Sequence, residues 1–166
     1  MDMFGLPVTN APPECVQAIN SYYEAVLAYR PFSAWAVAEG AAAANPDCPL
    51  AGVLAADYAF CRGDAPRAKE LVNGLRACKD AGASWSWREQ AYLEVWTKWV
   101  IDGDPDGAHK QILEVVEKHP ADLFAVKRGH IFGLILGDGA RILAIVQHAA
   151  AAAFAEAAPR FLHGMW

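Results

Sequence analysis

Charge and catalytic motifs are both scarce in this chain. Only 20% of its 166 residues are charged, while 55% are hydrophobic, so a large share of its surface must be buried or covered. Serine occurs only at Ser21, Ser33, Ser84 and Ser86, none of them in a G-x-S-x-G turn, which leaves no recognisable nucleophile elbow. No C-x-x-C, H-E-x-x-H or E-x-x-H occurs, so the common zinc spacings are missing. Gly133, Gly137 and Gly139 are not followed by Lys-Ser/Thr; they read as a helix end and turn, not as a phosphate loop. No catalytic residue, metal ligand or cofactor is expected, and the chain is not expected to be an enzyme.

Basic stripes are lacking as well. Lys and Arg number 14 against 19 Asp and Glu, giving a net charge of −5, and Lys127-Arg128 is the only adjacent basic pair. Nucleic acid is excluded as the main partner on that ground. The most apolar stretch, 142–158, carries Gln147, His148 and Glu156 and is too short and too alanine-rich to span a bilayer. The N-terminus has neither the basic start nor the long apolar core of a signal peptide. Cys15, Cys48, Cys61 and Cys78 stand too far apart for a zinc site. They are expected to be reduced and mostly buried, in a reducing compartment such as the cytoplasm or an organelle interior.

What the chain does have is alanine, six tryptophans and a recurring pair. Gly63-Asp64, Gly103-Asp104 and Gly137-Asp138 fall at intervals of 40 and 34 residues, and each closes one amphipathic pattern and opens another. A period near 34 marks helical hairpins of the tetratricopeptide kind. Four units follow, 15–48, 49–82, 89–122 and 123–156, with an insertion at 83–88. The place that needs a small residue against the partner helix holds Ala34, Ala68, Ala108 and Ile142, and Pro46 and Pro120 sit near unit ends. The unit's eighth place holds Tyr22, Ala56, Trp96 and His130; three large residues there predict wide or tilted packing. Ser86-x-x-Glu89 is a capping box, and Tyr92, Val95, Trp96 and Trp99 form a stripe on a helix expected to reach Ile101. No strand-like alternation is present.

The fold class is therefore all-α, a tetratricopeptide-like solenoid of about four helical hairpins. Residues 1–13, with Pro7, Pro12 and Pro13, form an extended N-terminal arm, 14–158 the repeat domain, and 159–166 the start of a truncated further helix. Repeat register places Leu50, Val53, Asp57 and Phe60 on the inner wall. Gln90, Leu93, Glu94 and Thr97 follow, then Phe124, Lys127, Arg128 and Ile131. This wall is apolar enough to take a helix or extended segment, with Trp85 and Trp87 beside it as either gap fillers or interface anchors. Lys127 and Arg128 would otherwise be a solvated pair or a weak clamp for an acidic tail. His109 and His119 are expected at the surface or as caps, His130 as a hydrogen-bonded core imidazole, and His148 and His163 without ligand partners.

Particular residues also resemble a known family. Trp87-Arg88-Glu89-Gln90, Pro120-Ala121-Asp122, then Lys127, His130 and Gly137, look like the tetratricopeptide repeat protein 38 family. Asp2-Met3-Phe4-Gly5-Leu6-Pro7-Val8 is similar to the starts of its bacterial members, and Phe161-Leu162-His163-Gly164-Met165 resembles the opening of its next hairpin. The likeness covers nearly all of this chain but only the N-terminal third of a usual member, which makes the chain a truncated descendant or a fragment. It implies an all-α tetratricopeptide fold with no established reaction, and supplies no catalytic residues.

The expected function is a non-catalytic interaction or scaffold module, a subunit or adaptor of a larger assembly. It would bind a protein partner through the apolar groove and the Ala-rich terminal helix. The alternative is a small-molecule-binding or enzymatic helical domain with a cavity near Trp96, Trp99 and His130.

Overall fold

The Gly-Asp pairs act as joints because each residue does one job. Gly63, Gly103 and Gly137 take positive φ, at +90°, +65° and +65°, a conformation cheap only for glycine, and so end a helix. The aspartate that follows caps the next one: Asp64 accepts from the Arg67 amide at 3.2 Å, Asp104 from Gly107 at 2.8 Å and Asp138 from Arg141 at 3.2 Å. Each cap satisfies a backbone donor that has no partner inside its own helix.

The computed structural model describes residues 1–155, and it is all-α, with no strand among them. The elements are α1 (Pro13–Leu27), α2 (Phe32–Trp35), α3 (Val37–Ala44), α4 (Pro49–Cys61), α5 (Ala65–Asp80), α6 (Trp87–Trp96), a π-helical segment (Thr97–Asp102), α7 (Pro105–Lys118), α8 (Leu123–Leu136) and α9 (Gly139–Ala155). The capping box holds: Ser86 Oγ accepts from the Glu89 amide at 3.3 Å, and Glu89 accepts from the Ser86 amide at 2.9 Å. The helix begun there continues past Trp96 as a π turn, which widens the coil before Gly103 closes it. The segment expected to begin a further helix, 159–166, lies outside the described residues.

Consecutive helices pair, α1 with α3, α4 with α5, α6 with α7 and α8 with α9; α3 also packs on α4, and α7 on α8. The contact of α5 with α6 is slight, as the insertion before α6 foretells. In addition α1 touches α8, so the first and last of the inner helices meet. Between them lies a core rich in rings. Tyr22, Tyr23, Tyr92, Trp96 and Phe124 are all fully buried, and Phe124 lies 5.1–6.1 Å from each of the other four ring centroids. Edge, tilted and stacked pairs of this kind add to plain area burial.

Room for α9 is made on the partner helix. A side chain at Gly129 would meet Ile145 Cδ1 at 2.7 Å, and one at Gly133 would meet Ile142 Cγ1 at 2.6 Å and the Ile142 backbone nitrogen at 3.3 Å. Ile142 occupies a place where a small residue was expected, and Gly133 supplies the missing space from α8. Ala68 and Ala108 are buried as expected, but Ala34 is exposed, since the second helix of the first pair breaks at Ala36; Ala38 and Ala41 take over its inward role. A Gly133→Val substitution should push α9 off α8 and cost about 1–3 kcal/mol. Urea unfolding would measure the loss, and an unchanged midpoint would remove Gly133 as the spacer.

His109 is buried between α7 and α9, not at the surface as expected, with no partner for its Nε2. Burial first and Arg141 second hold its imidazole below the ordinary 6.5, and burial likewise depresses His119 and His130. With folded values below the unfolded one, the unfolded chain binds more protons, so stability present above 6.5 is lost as pH falls through the lower folded values. Melting temperature followed from about pH 8 to about pH 5 should fall on the acid side, and His109→Phe should flatten part of that fall. Parallel curves for the two proteins would count against His109 as a contributor.

Candidate functional site

The inner wall is where a partner was expected, and its residues divide sharply. Leu50, Val53, Asp57, Leu93, Phe124, Lys127 and Arg128 are buried. Phe60, Trp85, Gln90, Thr97 and Ile131 are half-buried, and only Glu94 and Trp87 are exposed. Phe60 and Phe132 each lie 4.6 Å from Trp99 by ring centroid. The wall is thus largely filled from within, by its own side chains and by the N-terminal arm. The space near Trp96, Trp99 and His130, where a cavity was considered, is packed with rings: Trp96 is fully buried among Tyr92, Trp99 and Phe124. His130 is half-exposed.

Two buried guanidinium groups organise this interior. Arg88, at the first turn of α6, is 2% exposed. It donates from Nε to Asp122 at 2.7 Å, from Nη1 to Asp2 at 2.7 Å, and from Nη2 to the Tyr23 hydroxyl at 3.1 Å. Asp122 also accepts from the Tyr92 hydroxyl at 2.8 Å and caps α8 through the Ala125 amide at 3.1 Å. Burial opposes the charge on Arg88, but Asp122, Tyr23, Tyr92 and Asp2 together hold its pKa above the ordinary value. Burial also drives the Tyr23 and Tyr92 hydroxyls up, so both stay protonated and able to donate.

The second group is Arg128. It pairs with Asp57, which also accepts from the Tyr22 hydroxyl; all three side chains are buried. Cys61 Sγ lies 3.9 Å from Asp57, and burial with the neighbouring Asp57 carboxylate pushes that thiol up to about 12, far from a reactive thiolate. Lys127 reaches the Tyr29 hydroxyl, its ammonium 3.4 Å above the Tyr29 ring. The Lys127-Arg128 pair is therefore neither solvated nor an open clamp. Arg128 has its partner on α4 and Lys127 in the turn after α1, signalled in the sequence only by their position on an apolar inner face.

Glu89 is buried as well, and its role exceeds capping. Its carboxylate accepts from the Thr9 amide at 2.8 Å and the Thr9 hydroxyl at 2.6 Å, besides the Ser86 amide and hydroxyl. The arm is tied further by Met3, whose amide donates to Asn20 Oδ1 at 2.8 Å, and by Phe4, whose ring lies 4.9 Å from Tyr23. No motif in residues 1–12 announced these ties.

Elsewhere, a cleft of about 340 Å³ opens between α5 and the α6–π turn, with Arg76, Lys79 and Lys98 facing Asp80, Glu94 and Asp102. Its charges balance, so it favours neither sign of ligand. Trp87 is 39% exposed, with the Lys118 ammonium 3.9 Å from its ring centroid and the His119 ring at 5.9 Å. Cys15 and Cys48 are buried, Cys61 is half-buried and Cys78 is exposed, and none of the four is paired. Among the described residues no three metal-capable side chains come together, and no helix is long and apolar enough to cross a membrane. The chain matches no family model, no curated protein and no solved structure.

Removing Arg88 would leave Asp2 and Asp122 buried without their counter-charge. Arg88→Met should therefore cost about 3–5 kcal/mol, against about 0–1 kcal/mol for breaking the exposed Arg67–Glu70 pair with Glu70→Ala. Chemical denaturation of both variants would show the contrast, and equal losses would sink the central role given to Arg88.

Proposed function

We propose that this chain is a tetratricopeptide-like stack of four helical hairpins, related to the tetratricopeptide repeat protein 38 family, that works as a non-catalytic docking module. Its partner is another polypeptide, held at the α8–α9 end of the stack and not along the inner wall. One observation carries this reading. Leu134, Ile135 and Leu143, at 57%, 54% and 49% exposure, gather about the Gly137 turn that joins α8 to α9. Ile131, Ile142 and Val146 flank them, each half-buried. Exposed large aliphatic residues clustered in this way commonly mark an interaction surface.

Helix order supports the stack. The second helix of one pair packs on the first helix of the next where α3 meets α4 and α7 meets α8, which is how hairpin arrays bury their seams. The α8–α9 hairpin, with aliphatic residues outward, offers the same kind of seam to a partner. Interaction is favoured over catalysis because the buried carboxylates are engaged by groups from other segments of the chain. Asp57 and Arg128 pair, as do Asp122 and Arg88, while Glu89 holds the arm and a cap. Such groups fix a shape and are not poised to move protons.

Leu134→Asp combined with Leu143→Asp should leave the melting temperature nearly unchanged, since both sites are exposed. It should weaken a co-purified partner's affinity by at least about tenfold, or 1.4 kcal/mol. Affinity titration of the isolated pair provides the measurement. Full affinity in the double variant would overturn the end-face reading.

A further inference from the structure

The N-terminal arm is attached in the manner of a ligand. Between Asp2 and Thr9 it contains no helix, and Gly5 and Pro7 face solvent while Asp2 is 6% exposed. Its hold on the body comes through separate hooks. The Asp2 carboxylate accepts from Arg88 Nη1 at 2.7 Å, the Met3 amide donates to Asn20 Oδ1 at 2.8 Å, the Phe4 ring rests on Tyr23, and Thr9 donates from both its amide and its hydroxyl to Glu89. Asp2 also folds the arm's own turn, accepting from the amides of Phe4 at 3.0 Å and Leu6 at 3.1 Å.

Arg88 and Glu89 do not depend on the arm for their only partners. With the arm gone, Arg88 keeps Asp122 and the Tyr23 hydroxyl, and Glu89 keeps the amide and hydroxyl of Ser86. The helix behind the arm is independent too: α1 starts at Pro12-Pro13, whose fixed φ suits a first turn without help from upstream. Asn10, at the junction, is held at φ +52°, a conformation that non-glycine residues adopt at some cost and that detachment would release. The arm can therefore leave a site that stays formed, with Arg88 Nη1 turned toward an absent carboxylate.

We propose that this face of α1 and α6 is a peptide-binding site, filled in cis by residues 2–9 and open to exchange with the same segment supplied in trans. The site reads an acidic residue at Arg88, an aromatic residue two positions on at Tyr23, and a hydroxyl residue five further on at Glu89. Charge-assisted bonds at both ends set the register, and the ring supplies burial. The site is separate from the α8–α9 end, and does not rest on the docking role given to that end.

The test uses the full chain carrying Asp2→Asn and Thr9→Ala, which loosens the arm and leaves Arg88, Tyr23 and Glu89 intact. A labelled peptide of residues 1–12 should bind this variant saturably and bind the unaltered chain at least about tenfold more weakly, and a peptide with Asp2→Asn should lose at least about tenfold in affinity. Leu134→Asp should leave the titration unchanged, which separates this site from the end face. A folded variant that ignores the peptide, or binds both peptides equally, overturns the proposal. Should the variant fail to fold, hydrogen exchange on the unaltered chain decides. The amides of Phe4, Leu6 and Thr9 should exchange at least about a hundredfold faster than those of α4, reporting arm opening without global unfolding. Equal rates would make the arm an inseparable part of the core.

Discussion

The buried guanidinium of Arg88 is the constraint on which the rest of the interior depends. It lies on α6 where the arm, α1 and the start of α8 converge, and each of the three presents a group to it. Asp2 comes from the arm, Tyr23 from α1 and Asp122 from the α8 cap. A charge held in a nearly dry site needs a counter-charge and hydrogen-bond partners, and few arrangements of these segments provide them. The network therefore selects one mutual placement of segments far apart in sequence. Apolar packing alone would tolerate several, because ring against ring and alanine against alanine leave latitude in register.

Around that point the structure is economical in its use of residue types. Aspartate caps α5, α7 and α9 directly after a glycine that ends the helix before, and in Asp122 the same carboxylate both caps α8 and balances Arg88. Glu89 closes its own helix start and also holds Thr9 across 80 positions of sequence. Because these carboxylates serve a local and a distant purpose together, secondary structure and tertiary contact are coupled. Loss of the network would loosen helix starts as well as helix packing.

The filled interior changes where interaction is to be sought. A wall lined by Leu50, Val53, Phe124 and Arg128 is consumed by the fold's own contacts, leaving apolar surface at the Gly137 turn and a peptide-like arm on the inner face. The arm lies over the first turn of α6, and Leu134 and Ile135 stay outside beside the α8–α9 turn.

Much of the local structure was legible in the sequence. Gly-Asp joints, the Ser86–Glu89 box, proline stops and apolar stripes located the helices, because these signals act within a few residues and need no distant partner. The break in the first pair at Ala36, the burial of His109 and the spacing role of Gly133 were not legible, since each depends on what packs against it. The inner wall showed the limit most plainly. Lys127 and Arg128 read as surface charges, and Asp57 as one polar residue on an apolar face, until α1, α4 and α8 converged and joined them. Sequence alone determined an all-α chain and the position of its turns, through short-range backbone chemistry. Only the tertiary structure decided which charges are buried, that the arm occupies the inner face, and which apolar side chains remain outside, because those depend on groups brought together across the whole chain.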